Sequence, residues 1–323
     1  MVDTQDARSD SLRVVFLGTP QFAVPSLEQL IASRHRLVGV VTQPDRPRGR
    51  GQKVTDAPVK MTAVQHGIPV YQPARLRDPG VAETLQTWAP DLGVVAAYGK
   101  IIPEEMLNLP RLGMINVHAS LLPKYRGAAP VQRAVMAGDA ETGITIMRMV
   151  KALDAGGMFA RATRPIDPNE TSDAVERDLA EIGAKLLLRV IDDMVAGVAA
   201  EEPQDDSLST YASKITKDEG LVDWARSALE IHNRVRGLYP WPHAYSYLDN
   251  ERVILLRSQV ESRQTSEPPG TVVDSSSGVL LVATGYGGCL GVTEMQPEGR
   301  RAMPARDYLA GHPIRAGARF GSQ

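Results

Sequence analysis

The stretch LRVVFLGTPQFAVPSLEQLIAS, residues 12–33, joins two different hydrophobic periods. LRVVFLG (12–18) is an unbroken apolar run, too short for a helix and suited to a strand buried on both faces. FAVPSLEQLIAS (22–33) then sets Val24, Leu27, Leu30 and Ile31 on one helical face. A buried strand that turns directly into an amphipathic helix is the opening half of a βαβ unit. Working outward, LVGVVTQ (37–43), DLGVVAAYG (91–99) and GMINVH (113–118) read as further buried strands. Strands alternating with helical segments predict an α/β fold. We expect a mostly parallel, Rossmann-like sheet with helices on both faces.

Beyond that core the pattern changes. TGITIMRM (142–149) and MFARATRPI (158–166) suggest an antiparallel pair at the sheet edge. A long amphipathic helix is predicted at about 171–198, opened by Thr171 or Ser172. The polar, acidic AAEEPQDDSLST (199–210) reads as a linker. After it come a helix at about 224–237 and short strands broken by turn signals, the pattern of a small barrel. We therefore expect a catalytic domain over 1–201, a linker over 202–215 and a β-barrel domain over 216–323.

Composition narrows the classes of function. A chain of 323 residues is long enough for about two domains. The apolar runs fall well short of the ~20 residues of a membrane span, and no basic-then-apolar leader opens the chain. A cytoplasmic protein with no membrane partner is expected, and a monomer. Cys289 is the single cysteine, so an internal disulfide is impossible and a thiolate metal site is not expected. The net charge of −2 means that any nucleic-acid contact must come from a local basic patch. Gly18 alone does not make the three-glycine fingerprint of a dinucleotide site.

Ligands of open α/β sheets bind outside the carboxyl ends of the strands. INVHASLLPKYRG (115–127) ends one such strand with Asn116 and His118, two apart and so on the same side. Asp154 stands in the Gly-flanked loop KALDAGGM, beside the end of another strand. An amide can donate to a developing oxyanion, an imidazole can move a proton, and a carboxylate can fix the ring's tautomer. Together they suit acyl transfer. No serine or cysteine nucleophile accompanies them, which favours direct attack by an amine of the substrate. Each also has a plain alternative: Asn116 as a strand-end turn residue, His118 as a hydrogen-bonded structural histidine, Asp154 as an ordinary turn aspartate. No cluster has metal-ligand spacing.

Asn-x-His, followed by SLLPKYRG (120–127) and by an aspartate 36 residues after the histidine (154 − 118), resembles the folate-dependent formyltransferases. FLGTPQFAVPSLEQL (16–30), VTQPDRPRGRGQK (41–53), VVAAYGKIIP (94–103), GDAETGITIM (138–147) and YPWPHAY (239–245) extend the resemblance to nearly the whole chain, and to the members acting on tRNA. It implies formyl transfer from 10-formyltetrahydrofolate to the α-amine of methionyl initiator tRNA. Asn116 would bond the oxyanion of the tetrahedral intermediate, His118 would relay protons, and Asp154 would hold the ring. Ser120, Leu121, Leu122 and Pro123 would lie against the folate, and no metal is called for. The barrel would be OB-like and would support the tRNA. The sequence departs from the family at Gly157, where an acidic residue is common.

QPDRPRGRGQK (43–53) is the other unusual stretch, with Arg46, Arg48, Arg50 and Lys53 against Asp45. A basic loop without regular structure suits a phosphate backbone or an acceptor end, and its plain alternative is a solvated surface loop. The resemblance makes it the loop that engages the tRNA, with Arg50 foremost. The C-terminal part announces nothing of the kind: from 203 onward it has 13 Lys plus Arg and 14 Asp plus Glu. The rival reading is a formyltransferase for a nucleotide-sugar amine, against which the basic loop argues.

Overall fold

The structure, a computed structural model, describes residues 10–48 and 53–321. Chain contacts divide it into two compact units, 1–128 with 143–164 and 176–211, and 129–142 with 165–175 and 212–323.

The first unit begins as its apolar periods predict. β1 (Arg13–Gly18) leads through a 3-10 turn into α1 (Val24–Ala32), which buries Val24, Leu27 and Leu30. Then follow β2 (Arg36–Val41), the short pair β3 (Arg46–Arg48) and β4 (Lys53–Thr55), α2 (Pro58–Gln65), β5 (Val70–Tyr71), α3 (Val81–Thr87), β6 (Leu92–Ala96), α4 (Glu104–Leu107), β7 (Met114–His118) and β8 (Arg126–Gly127). After α5 (Pro130–Ala137), which belongs to the second unit, come β9 (Glu141–Arg148), β10 (Met158–Pro165) and α6 (Ser172–Ala196). The main sheet has the order β10-β9-β7-β6-β1-β2-β5. Its pairs β7/β6, β6/β1, β1/β2 and β2/β5 are parallel, and β9 joins β7 antiparallel. The sheet is thus the mostly parallel, Rossmann-like one expected. Side chains such as Leu17 and Leu27 are wholly buried, and each such burial contributes roughly 1.5–3 kcal/mol. Val15, Leu17, Val41, Val95 and Met114 share one core with Leu76, Leu85 and Met106 on one sheet face. On the other face α6 comes close enough that a Cβ on Gly183 would meet Val117.

In the second unit, α5 packs on α7 (Ala228–Gly237), which opens with a capping box between Ser227 and Glu230. β11 (Tyr211–Ala212), β12 (Ala244–Leu248), β13 (Glu251–Glu261), β14 (Val272–Asp274), β15 (Leu280–Ala283), β16 (Cys289–Pro297), β17 (Met303–Pro304), α8 (Ala305–Gly311) and β18 (Phe320–Gly321) complete the chain. The large sheet here runs β14-β15-β16-β13-β12-β18, with β17 on β16. Its ends curl back together: Phe320 N–H donates to Gly270 O and Val272 N–H to Ala318 O, both at 2.8 Å. This is the predicted small barrel, filled by Trp224, Leu255, Val292, Met295 and Phe320. Trp241 is exposed, whereas Tyr245 and Tyr239 lie against the guanidinium groups of Arg252 (3.9 Å) and Arg257 (4.8 Å).

The polar stretch read as a linker does more than connect. Glu202 exchanges backbone hydrogen bonds with Met158, at 2.8 and 2.9 Å, which ties residues around 202 to β10.

Candidate active site

β7 lies between β6 and β9, and its carboxyl end carries two of the three residues singled out from the sequence. Asn116 sits opposite Val95 on β6 and Met147 on β9, and His118 sits opposite Thr145. The strand period of two turns both side chains to one face, roughly 7 Å apart along the strand. Asn116 is half-buried, and no hydrogen bond from its amide to any described residue is present. Its N–H groups are therefore available to a ligand.

His118 is buried, at 5% exposure. Its Nε2 lies 2.8 Å from the carbonyl oxygen of Tyr125. A carbonyl only accepts, so Nε2 carries the proton and Nδ1 is left as the free base. That Nδ1 stands 3.9 Å from Asp154 Oδ2, beyond hydrogen-bond length. The sequence suggests that Asp154 fixes the tautomer of the ring; here the Tyr125 carbonyl does so. Asp154 Oδ2 instead accepts the Gly127 N–H at 2.8 Å.

The SLLPKYRG loop is built around Ser120. The Ser120 hydroxyl donates to Tyr125 O and accepts the Tyr125 N–H, both at 3.0 Å. Thr145, wholly buried on β9, donates to Ser120 O (2.7 Å) and accepts the Leu122 N–H (3.1 Å). Ser120 and Leu122 are each 1% exposed, so their side chains brace the loop and reach no solvent. Leu121 and Pro123 are half-buried and form the part of this stretch that a ligand can touch.

Asp154 has φ 47°, a left-handed backbone that non-glycine residues seldom adopt. The next two residues but one explain why the loop is glycine-rich. A Cβ on Gly156 would lie 1.9 Å from Arg148 O. A Cβ on Gly157 would lie 2.8 Å from Glu201 Oε2, and Glu201 in turn accepts from Arg148 Nη2 at 2.6 Å. Gly157 thus leaves the space that the Glu201 carboxylate fills.

The neighbouring strand ends are also polar. Gln43 Nε2 donates to Tyr98 O at 2.7 Å, and Thr19 Oγ1 to the same oxygen at 3.3 Å. Burial pushes the Tyr98 phenol up to about 12. Gln72 donates to Gln43 O and Asp45 Oδ1, and Lys60 bonds Asp45. The Lys60 hydrogen bond holds the Asp45 carboxyl below the usual range. The basic loop therefore leaves the sheet from an anchored base. Arg46 and Arg48 belong to β3 and Lys53 to β4, paired antiparallel through their backbones. Arg50 lies outside the described residues.

Of the residues singled out from the sequence, the fold sets Asn116 and His118 on one strand and brings Asp154 Oδ2 within 3.9 Å of His118 Nδ1. The sequence did not single out Thr145 and the Tyr125 carbonyl, which bond the loop and the His118 ring. The signal for Thr145 was present: an antiparallel β9 puts alternate residues of TGITIM on the His118 face.

Residues 12–191 match the family described as Formyl transferase, and residues 214–313 match its C-terminal domain. The chain is 45% identical over 310 residues to the methionyl-tRNA formyltransferase of Geotalea daltonii, covering 96% of this chain and 98% of the relative. It is 47% identical to that of Methylobacillus flagellatus, covering 96% and 100%. Among solved structures, the sugar 3N-formyl transferase WlaRD, determined with dTDP and 5-N-formyl-THF, superposes with TM-score 0.65 at 16% identity, covering 90% of this chain and 99% of that one. HypX from Aquifex aeolicus, in complex with tetrahydrofolic acid, superposes with TM-score 0.61 at 16% identity, covering 97% and 51%. At such identities the solved structures speak for the fold, and the near-full-length relatives speak for descent: the chain belongs to the formyl transferase family, among its methionyl-tRNA formyltransferases.

Proposed function

We propose that the chain transfers the formyl group of 10-formyltetrahydrofolate to the α-amine of methionine on initiator tRNA, in the cytoplasm. Its relatives of near-equal length are named for the methionyl-tRNA reaction. Folates are present in distant neighbours of the same fold. The observation that carries the chemistry is the pairing, on one strand end, of an amide without a partner among the described residues and an imidazole whose free nitrogen faces a carboxylate.

The folate supplies an activated formyl group. The amine adds to its carbon, the bond from that carbon to the folate nitrogen breaks, and a proton passes from the amine to that nitrogen. The Asn116 amide donates to the formyl oxygen as negative charge develops there. His118, with Nε2 held on Tyr125, takes the proton of the amine at Nδ1 and returns it to the departing nitrogen. Asp154 stabilises the transient imidazolium across the 3.9 Å gap. Leu121 and Pro123 offer apolar surface to the folate, and the buried Ser120 and Leu122 keep the loop in shape for it. Arg46, Arg48, Arg50 and Lys53 engage the acceptor end of the tRNA. We take 1–201 as the catalytic part, 202–215 as the connector and 216–323 as an OB-like support for the tRNA. The chain acts as a monomer.

His118→Ala and Asn116→Ala test the assignment, since neither side chain belongs to the apolar core. Each should fold as the native chain does and retain folate binding. Turnover should fall by about 10²-fold or more for the histidine and by roughly 10²–10³-fold for the amide. Near-native turnover in either variant would remove that residue from the chemistry.

A further inference from the structure

The loop that carries Asp154 is closed at its base by the Arg148 N–H, which donates to Gly157 O at 2.8 Å. Asp154 is left-handed, its two following glycines supply no side chain, and among the described residues its carboxylate accepts one hydrogen bond, from Gly127. Within that loop, the backbone around Asp154 is fastened by Gln204. The Gln204 Nε2 donates to Asp154 O and to Gly156 O, both at 2.8 Å. The Gln204 Oε1 accepts from Arg126 Nε at 3.1 Å and from Arg126 Nη2 at 2.8 Å. Arg126 is next to Tyr125, whose carbonyl fixes the His118 ring, and next to Gly127, whose N–H holds the Asp154 carboxylate. Both ends of the Gln204 amide are thus chemically determined. Its two N–H groups meet two carbonyl oxygens, and its one oxygen meets a guanidinium. Gln204 lies between the regions that match the family descriptions, 12–191 and 214–313, in the stretch whose composition suggests a mere linker.

We infer that Gln204 is a positioning residue for formyl transfer, its amide clamping the Asp154 loop to the Tyr125–Gly127 loop and so setting Asp154 against His118. The inference rests on the reading of Asp154 and His118 given above. Gln204 is half-buried, between the exposed Pro203 and Asp205, so its loss empties no core.

The test uses the full chain and four proteins: native, Gln204→Ala, Gln204→Glu and Asp154→Asn. Turnover and KM are measured with 10-formyltetrahydrofolate and methionyl-tRNA, together with melting temperature and hydrogen exchange at Gly127. Displacing a reacting group by ~1 Å costs about 10²-fold, so Gln204→Ala should lower kcat by roughly 10–10²-fold. Both KM values and the melting temperature should stay near native. The Gly127 amide should exchange faster while the amides of β7 do not. Gln204→Glu should lose at least as much turnover. Its carboxylate keeps the Arg126 pair but turns an acceptor toward two carbonyls. A glutamate that restores native kcat, or native kcat and native Gly127 exchange in Gln204→Ala, would overturn the inference while a slow Asp154→Asn leaves the site reading standing. Native turnover in Asp154→Asn would overturn the site reading and the inference with it.

Discussion

At the scale of single residues, the site depends on which group holds which. Tyr125 O accepts from both His118 and Ser120, and Thr145 holds Ser120 in turn. Thr145→Val keeps the volume but leaves the Ser120 carbonyl and the Leu122 N–H without this partner. Leaving a buried polar group unpaired costs about 1–3 kcal/mol, and this site is fully buried. Urea denaturation should register a loss of that order, and turnover should fall because the loop that sets the His118 tautomer is loosened. Unchanged stability and unchanged turnover would mean that the loop keeps its form without Thr145. Asn116 and His118 were legible in the sequence because strand alternation is local: two residues apart means one face. Gln204 was not legible. Its four hydrogen bonds reach residues 48 to 78 positions away, and nothing in a polar stretch without periodicity points to them.

At the scale of elements, the apolar periods of β1, β2, β6 and β7 determine their place in the sheet, and that of α1 its buried face, since each buries apolar residues that water would disfavour. The helix at about 224–237 begins later than its apolar pattern suggests, at Ala228, because the box of Ser227 and Glu230 satisfies its first amides. The loop after β9 shows how one substitution reaches another element. Gly157→Asp would set a side chain 2.8 Å from Glu201 Oε2 and bring two carboxylates together. We expect Gly157→Asp to lower the melting temperature and turnover, and Glu201→Ala in the same chain to recover part of both. The aspartate can then take the Arg148 guanidinium that Glu201 now holds. Thermal melts and turnover of the single and double variants decide it; a double variant no better than Gly157→Asp would mean that the clash lies with backbone and not with Glu201.

At the scale of the whole molecule, two compact units cut across chain order. α5 and residues 165–175 group with the C-terminal barrel although they lie within the N-terminal part of the sequence. Packing between distant segments is a non-local property, and composition does not display it. The basic loop is the feature that the sequence states most openly, and it makes its prediction through charge. Arg50→Ala should raise KM for methionyl-tRNA and flatten its salt dependence by about one phosphate contact, while folate affinity stays unchanged. Steady-state kinetics at two salt concentrations check this, and Arg50→Lys should recover only part of the loss, because an ammonium lacks the planar fork of the guanidinium.

The central claim is that this strand-end site formylates an amino acid carried on tRNA. The most direct measurement offers the purified chain 10-formyltetrahydrofolate together with methionyl initiator tRNA and, separately, a nucleotide-linked amino sugar. It follows formyl incorporation into each, with the His118→Ala chain beside it. The account predicts formylated methionyl-tRNA, none of it in the His118→Ala reaction above a residue of about 1%, and no formylated sugar. Formyl transfer to the sugar with methionyl-tRNA left untouched would contradict it.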